Sequence, residues 1–393
     1  MSRDERRNII LATLLCGVRS AALLCATGTL LQTFLNVLGF SENQIYIQSS
    51  LIQAANVLAI LLSSRWGDTG NLIRKAALIQ IPSAVMFLCY LPLCIWQEAS
   101  VSAYVLLLAV SSIQSVLMGF YTVCDYKMPY CAYTEKNFGI CLSATGIASS
   151  VATFGLGLVT TALTNRFPFV TIMTWGLVVS AALMLLAALL QGLMRPVSQP
   201  PEQTAAQEVK LPLKQILLSP VFRDMIPANL FRGFAMGAIT VMPVMAMGMG
   251  YSEAVAVSMV SIQSAAMVAG SIAFGLMSRR MHPRGMILLG SLGVAAAGFM
   301  LIRGELLFLA LYAIINFSKV IVDNAVPAAL RWTVPAKIAG PYNAWRLIVH
   351  NSGTILGSLA AAWIPKEIVL LLAVGGQLLC GFSYYYANVM KHK

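Results

Sequence analysis

The sequence predicts an all-α integral membrane protein with twelve transmembrane helices, arranged as two pseudo-symmetric bundles of six. Three observations predict this fold class: the hydropathy of the whole chain, the number of long apolar segments, and a residue pattern that occurs in both halves. The 393 residues are 59% hydrophobic and only 10% charged, with a mean hydropathy of +0.79. A soluble domain has about 25% charged residues, so most of this chain is expected to lie within a bilayer.

The apolar segments set the number of predicted helices. A helix of about 20 apolar residues is long enough to cross the hydrocarbon core. Twelve segments meet this length, and short turns connect most of them. They lie at residues 9–35, 44–63, 73–96, 102–125, 139–163, 167–193, 225–247, 252–277, 284–302, 305–326, 341–364 and 367–389.

The distribution of basic residues predicts the orientation in the membrane. With the N-terminus in the cytoplasm, 19 Lys and Arg residues fall on the cytoplasmic side, 3 on the opposite side and 4 within segments. Cytoplasmic loops carry the excess of Lys and Arg, so both termini are predicted to be cytoplasmic, in a multi-pass protein of the cytoplasmic (inner) cell membrane. The net charge of +12 is therefore attributed to orientation, and no nucleic-acid partner is expected.

A repeated pattern divides the chain into two equivalent halves. A Gly-aromatic-Ser-Glu turn occurs at 39–42 and again at 250–253, and an Asp-x-x-x-Pro sequence occurs at 125–129 and at 323–327. The common order of these matches indicates an internal duplication, which is typical of secondary transporters.

The boundary between the halves is a polar stretch rich in Pro, Gln and Glu. The predicted domains are an N-terminal six-helix bundle at 1–194, a cytoplasmic linker at 195–222 and a C-terminal six-helix bundle at 223–393. Composition of this kind is typical of a flexible connection.

Two cytoplasmic turns carry a family resemblance. The turn SSRWGDTGNLIRK at 63–75, between the second and third segments, and its counterpart GLMSRRMHPRG at 275–285 resemble the Gly, Asp, Arg and basic-pair signature of the major facilitator superfamily. Ser64 replaces the usual first glycine, and Arg279 replaces the acid of the second copy. The resemblance implies a monomeric secondary transporter that moves a small-molecule substrate by alternating access, with H⁺ or Na⁺ as a possible coupling ion.

Two arginines within apolar segments are the leading candidates for the substrate site. Arg19 precedes Gly39 by 20 residues and Arg232 precedes Gly250 by 18, so the two lie within about one helical turn of the same depth. A guanidinium presents a planar donor fork that matches carboxylate and phosphate oxygens. The placement is similar to the paired arginines of the superfamily's organophosphate:phosphate antiporters, which implies an anionic solute. The alternative is that each arginine forms an internal ion pair or binds exposed carbonyl groups.

Other polar residues on the apolar segments are predicted to line the same path. They are candidate hydrogen-bonding groups for a substrate, with contacts between helices as the alternative for each. The predicted substrate-binding residues are Arg19, Arg232, Gln53, Gln263, Asn56, Thr29, Gln114 and Asn316.

A second set of charged residues lies where the resemblance to the major facilitator superfamily implies a network that latches the cytoplasmic gate. Asp125 and Asp323 are expected at the cytoplasmic ends of the fourth and tenth segments, and Lys319 has the one-turn spacing of a same-face ion pair with Asp323. A coupling-ion site is the alternative for the two acids. Arg346 and His350 are interpreted as interface or network partners, with a place in the cavity as the alternative. The predicted gate network comprises Asp68, Arg74, Asp125, Arg284, Lys319, Asp323 and Arg346.

The remaining sequence features narrow the function class. No phosphate-binding loop and no His/Cys/Asp cluster with metal-ligand spacing is present, so we expect no ATP hydrolysis, no catalytic residues, no cofactor and no metal site. The leading hypothesis is a symporter or antiporter for a small organic anion. The alternatives are a multidrug or neutral-solute carrier with structural arginines and, from another class, a membrane-embedded enzyme or channel.

Overall fold

A computed structural model describes residues 2–63, 71–164, 166–197, 219–278, 280–301, 304–333 and 336–387. The described residues form α-helices joined by short turns, with one 3₁₀ helix, and the predicted all-α class is confirmed. The helices are α1 Arg3–Ala26, α2 Gly28–Val37, α3 Glu42–Ser63, α4 Leu72–Leu88, α5 Leu91–Trp96, α6 Val101–Ala132, α7 Glu135–Thr164, α8 Phe169–Gly192, α9 Pro220–Thr240, α10 Met242–Gly248, α11 Glu253–Met277, α12 Pro283–Val294, the 3₁₀ helix Ala295–Leu301, α13 Glu305–Thr333, α14 Ala336–Trp363 and α15 Lys366–Tyr386.

These helices overlap each of the twelve predicted segments. Among the described residues, nine helices are long and apolar enough to cross a bilayer, and ten if the bent pair α9 and α10 is one span. The count is compatible with twelve. The predicted linker at 195–222 lies largely outside the described residues.

Two equivalent spans are interrupted. In the first span α1 and α2 are separated by Thr27, whose backbone is extended, and Gly28 follows with φ +70°. In the seventh span α9 and α10 meet at an angle of 46°, where Pro243 in the first turn of α10 has no backbone N–H to continue the α9 hydrogen bonds. Discontinuous helices commonly flank substrate sites in transporters.

The duplicated turns have the same geometry in both halves. Gly39 and Gly250 each have φ +91°, a left-handed conformation that glycine adopts without the steric penalty of a β-carbon. The aromatic residue that follows each glycine packs on the fourth span of its half. The ring centroids of Phe40 and Tyr104 are 6.0 Å apart, and those of Tyr251 and Phe308 are 4.8 Å apart. The repeat read from the sequence is therefore a structural repeat.

Helix packing is also duplicated. In the N-terminal half α1 packs against α7 and α8, α3 against α6, and α4 against α6 and α8. In the C-terminal half α9 packs against α14 and α15, α11 against α13, and α12 against α13 and α15. The halves meet through two further pairs, α3 with α14 and α7 with α11. The contact between α3 and α14 includes a hydrogen bond of 2.9 Å from the Asn351 Nδ2 to the Asn56 Oδ1.

An ion pair joins the halves on the side opposite the chain termini. The Lys366 Nζ lies 3.0 Å from the Glu42 carboxylate, and both side chains are partly exposed. Gly248, at the end of α10, lies directly beside this pair, because a β-carbon there would overlap the Lys366 Nζ and the Glu42 carboxylate. Ends of α3, α10 and α15 therefore converge at one point of this surface.

We expect the Glu42–Lys366 pair to favour closure of that side. Glu42→Gln should raise the rate at which an impermeant maleimide labels a Met247→Cys reporter in a cysteine-free background. The increase should be at most about fivefold, because an exposed ion pair contributes up to about 1 kcal/mol. Lys366→Arg keeps the pair and is the matched control. An unchanged labelling rate in Glu42→Gln would show that this pair does not hold the side closed.

Candidate functional site

The site is built around the crossing of α9 and α14, which come into backbone contact. A β-carbon at Gly233 would overlap the carbonyl oxygen of His350, and one at Gly353 would overlap that of Leu230. Small residues let membrane helices approach this closely. The crossing sets Arg232, the neighbour of Gly233, against the His350 turn of α14.

Arg232 forms a buried ion pair. Its guanidinium Nη2 donates to the Asp323 Oδ1, and the two side chains are 8% and 36% exposed. The Arg232 Nε is buried and has no hydrogen-bond partner. The helix α13 continues to Thr333, almost three turns beyond Asp323, so the acid does not lie at the end of the helix itself.

The predicted same-face pair of Lys319 with Asp323 does not form, although the structure describes both residues. Asp323 binds Arg232 of another helix instead. One-turn spacing permits an ion pair within a helix, but here the carboxylate is engaged by a guanidinium that reaches from α9. The gate role of these residues stays a prediction.

Arg346 and His350 lie on the same side of α14, one turn apart. Arg346 is 5% exposed, and its Nε has no hydrogen-bond partner. No ion pair or hydrogen bond of this side chain occurs in the part of the chain that the structure describes. The His350 Nδ1 is likewise buried without a partner, and Arg232, Arg346 and Lys319 all interact electrostatically with this imidazole. Four basic side chains and Asp323 thus share one region of the C-terminal half.

Arg19 occupies the equivalent place in the N-terminal half, with different partners. Its Cζ lies 3.6 Å from the centroid of the Tyr121 ring, a cation–π contact. Its Nη2 lies 3.4 Å from the Met118 sulfur, and its Nε is buried without a partner. The Asp125 carboxylate interacts electrostatically with this guanidinium but forms no direct ion pair with it.

Arg19 with Asp125 and Arg232 with Asp323 are therefore matching sets, each joining the first and fourth spans of its half. As in the C-terminal half, the helix is longer than the apolar segment, since α6 continues to Ala132, about two turns beyond Asp125. The placement of both acids at the cytoplasmic ends of their membrane spans stays a prediction.

The predicted amide and hydroxyl residues are dispersed. Gln114 is 3% exposed, and neither polar atom of its side chain has a partner. Gln263 accepts a hydrogen bond of 3.1 Å from the Tyr312 hydroxyl. Asn316 is buried and donates to the Tyr312 carbonyl. These two contacts are internal to the C-terminal half, so the structure does not gather these amides around the arginines.

The remaining predicted residues lie at other places. Gln53 is half-buried on α3, and Asn56 of the same helix is engaged with Asn351. Thr29 lies in the first turn of α2. Asp68 lies outside the described residues.

Arg74 and Arg284 occupy the starts of two equivalent helices, α4 and α12, on the side of the chain termini. Arg74 is exposed, and the Arg284 guanidinium lies 5.6 Å from the centroid of the Tyr385 ring. Asp125 and Asp323 are instead associated with Arg19 and Arg232, each two to three turns from the helix end.

Residue spacing contained a signal for the missed partners. Residues 114, 118, 121 and 125 lie on one face of α6, and residues 312, 316, 319 and 323 lie on the matching face of α13. Each face therefore ends in the acid associated with its arginine. The face that Met118 and Tyr121 share with Asp125 was the available signal that they lie near Arg19.

Comparison with known proteins agrees with this architecture. The family profile of the Major Facilitator Superfamily matches residues 9–358. No curated protein matches the chain. A crystal structure of a bacterial homologue of the iron transporter ferroportin, in an outward-facing state, is similar in fold, with a TM-score of 0.68, 14% identity and 98% coverage of both chains. A second, of such a homologue with soaked iron, also has a TM-score of 0.68, with 11% identity and the same coverage.

The family profile covers most of the sequence, and these structures cover nearly all of the fold. The resemblance inferred from the cytoplasmic turns is confirmed, and with it the assignment as a multi-pass membrane transporter. The chain belongs to the Major Facilitator Superfamily.

Proposed function

We propose that this protein moves a small organic anion across the cytoplasmic membrane by alternating access. The observation that carries the proposal is an excess of positive charge in the interior of the helices. Among described residues, six charged side chains lie about two turns or more from either helix end. Four are basic and two are acidic, a formal excess of +2: Arg19, Arg232, Lys319 and Arg346 against Asp125 and Asp323.

Such an excess is costly without a ligand. A charge within the membrane costs about 2.5–3.5 kcal/mol on insertion scales, and an isolated buried ion costs several kcal/mol even after relaxation. An anion bound between the halves would offset this cost and gain charge-assisted hydrogen bonds. The same charge would disfavour a cationic solute, such as the iron named for the similar structures.

The orientation and the energy source complete the proposal. Both termini lie in the cytoplasm, as the basic residues indicate, and the protein acts as a monomer. Transport is driven by an H⁺ or Na⁺ gradient or by exchange against a second solute.

A multidrug or neutral-solute carrier is the second candidate, and the pairing of the arginines favours it. The Asp323 carboxylate already neutralises Arg232, and Arg19 stacks on Tyr121. Under this alternative both arginines are structural. The two candidates therefore differ in whether added anions bind.

Thermal unfolding of the purified protein in the presence of candidate solutes distinguishes them. We expect organic acids or phosphorylated sugars to raise the unfolding midpoint, and neutral sugars to leave it unchanged, because a ligand of the folded state stabilises it by mass action. Arg19→Gln should weaken this stabilisation and abolish uptake into proteoliposomes. Arg166→Gln, at an exposed turn, is the control for a general loss of positive charge. Stabilisation by neutral sugars alone would establish the second candidate.

A further inference from the structure

The C-terminal half contains basic side chains that its only nearby described carboxylate does not neutralise. Asp323 pairs with Arg232, which leaves the charges of Arg346 and Lys319. With His350 counted as neutral, this region carries a formal charge of +2. The N-terminal set of Arg19 and Asp125 carries none.

Arg346 is the more constrained of the two unpaired cations. Its guanidinium interacts electrostatically with Tyr342, one turn earlier on α14, and with His350, one turn later. Tyr342 packs on α9 through an edge contact of 5.6 Å with Phe222 and a hydrogen bond to the Met225 sulfur. Arg346 is therefore buried near the α9–α14 contact, and no described acceptor takes a hydrogen bond from it.

Lys319 supplies the second charge from α13. It lies one turn from Asp323, is only partly buried, and has no ion pair or hydrogen bond within the described ranges. Lys319 and Arg346 both interact electrostatically with His350, whose backbone is approached closely by Gly233, the neighbour of Arg232. The two unpaired cations therefore share the surroundings of one imidazole at the α9–α14 crossing.

The cluster borders the interface between the two halves. Asn351, the neighbour of His350, donates a hydrogen bond to Asn56 of α3. On the same face of α14, Leu347 belongs to an apolar cluster with Ile60 and Val123 of the N-terminal half. A ligand held at this cluster would consequently lie where the halves move against each other during alternating access.

We propose that Arg346 and Lys319 bind the transported solute and that this solute is a dianion, either a dicarboxylate or a phosphate monoester. This inference rests on the proposed anion transport and corrects the expected clamp, because Arg232 is engaged with Asp323. Two negative charges neutralise the formal excess, whereas one leaves a buried positive charge. The guanidinium matches two oxygens at once, and the lysine ammonium is a mobile point charge.

Size-matched ligands and two neutralising variants test this proposal. Binding to the purified full-length protein is measured by calorimetry with succinate, butyrate, succinamide, glycerol 3-phosphate and glycerol. We expect at least one of the two dianions to bind the wild type about 10- to 100-fold more tightly than butyrate, the effect of one further charged hydrogen-bonded contact. The dianion that binds identifies the solute class.

Arg346→Gln and Lys319→Met should each reduce that preference to about that of a monoanion site, with butyrate affinity changed much less. Arg223→Gln, which removes an exposed basic residue at the start of α9, is the control and should leave the preference intact. If neither succinate nor glycerol 3-phosphate bound more tightly than butyrate, or if both variants retained a dianion preference, this inference would be overturned and anion transport would be left standing. Failure of every anion to bind would instead refute the proposed function.

Discussion

Asp323→Asn is expected to lower the free energy of unfolding by about 3–5 kcal/mol, the largest effect of any single charge removal in this protein. The substitution would leave Arg232 charged and without a carboxylate, in a position where its side chain is only 8% exposed. Three uncompensated basic residues would then share the C-terminal cluster.

Removal of Arg232 should lower the free energy of unfolding by less than removal of Asp323 does. Arg232→Met leaves the Asp323 carboxylate, which is 36% exposed and therefore keeps part of its hydration. We expect a loss of about 3 kcal/mol, the low end of the range for a broken buried pair. The double variant Arg232→Met/Asp323→Leu should recover most of the stability, because neither member of this pair is left as an unpaired charge.

Chemical unfolding in detergent micelles provides the measurement, and the exposed pair of Glu42 and Lys366 is the control. Glu42→Gln should change the free energy of unfolding by no more than about 1 kcal/mol. If Asp323→Asn were as stable as Glu42→Gln, the pair of Arg232 and Asp323 would contribute no more to stability than the exposed pair does.

The second large effect is expected at the crossing of α9 and α14. Gly353→Val would place its β-carbon on the carbonyl oxygen of Leu230 and close to the backbone of Phe234. Backbone atoms cannot move aside as a flexible side chain can, so the two helices must separate. We expect a destabilisation of about 3 kcal/mol, the upper part of the usual range for overpacking, together with loss of transport.

Gly375→Ala, on α15 of the same half, is the matched control, because a β-carbon there has no neighbour within 4 Å. It should leave both the unfolding midpoint and transport unchanged. Since His350 lies at the same crossing, Gly353→Val should also weaken anion binding at the adjacent cluster. Wild-type stability of Gly353→Val would contradict the close approach of these helices.

The duplicated sequence was sufficient to predict the duplicated fold. The turns at Gly39 and Gly250 were matched by residue type alone, and their backbones have the same positive φ. The equivalence of Arg19 and Arg232 was also predictable, because each precedes its turn by nearly the same number of residues. Each residue of a helix rises by about 1.5 Å. The number of residues between an arginine and its glycine turn therefore gives the position of the arginine along the helix.

The partners of these arginines were not predictable in the same way. Spacing within one helix suggested Lys319 for Asp323, whereas the structure pairs Asp323 with Arg232 of α9. The fourth and tenth apolar segments end at or near Asp125 and Asp323. The helices α6 and α13 continue for two to three turns beyond these acids. Polar residues beyond the apolar core of a span lower the mean hydropathy. The predicted segment therefore stops although the backbone hydrogen bonds of the helix continue.

The sequence by itself determined that this protein is a duplicated, multi-pass helical carrier, because hydropathy, charge asymmetry and repetition depend on residue order alone. Only the tertiary structure decided which basic groups are neutralised. Tyr121 and Met118 contact Arg19, Asp323 pairs with Arg232, and Arg346 has no acidic partner among the described residues. Such pairings depend on helix rotation and on close approach at glycines such as Gly233, and neither is fixed until the helices pack.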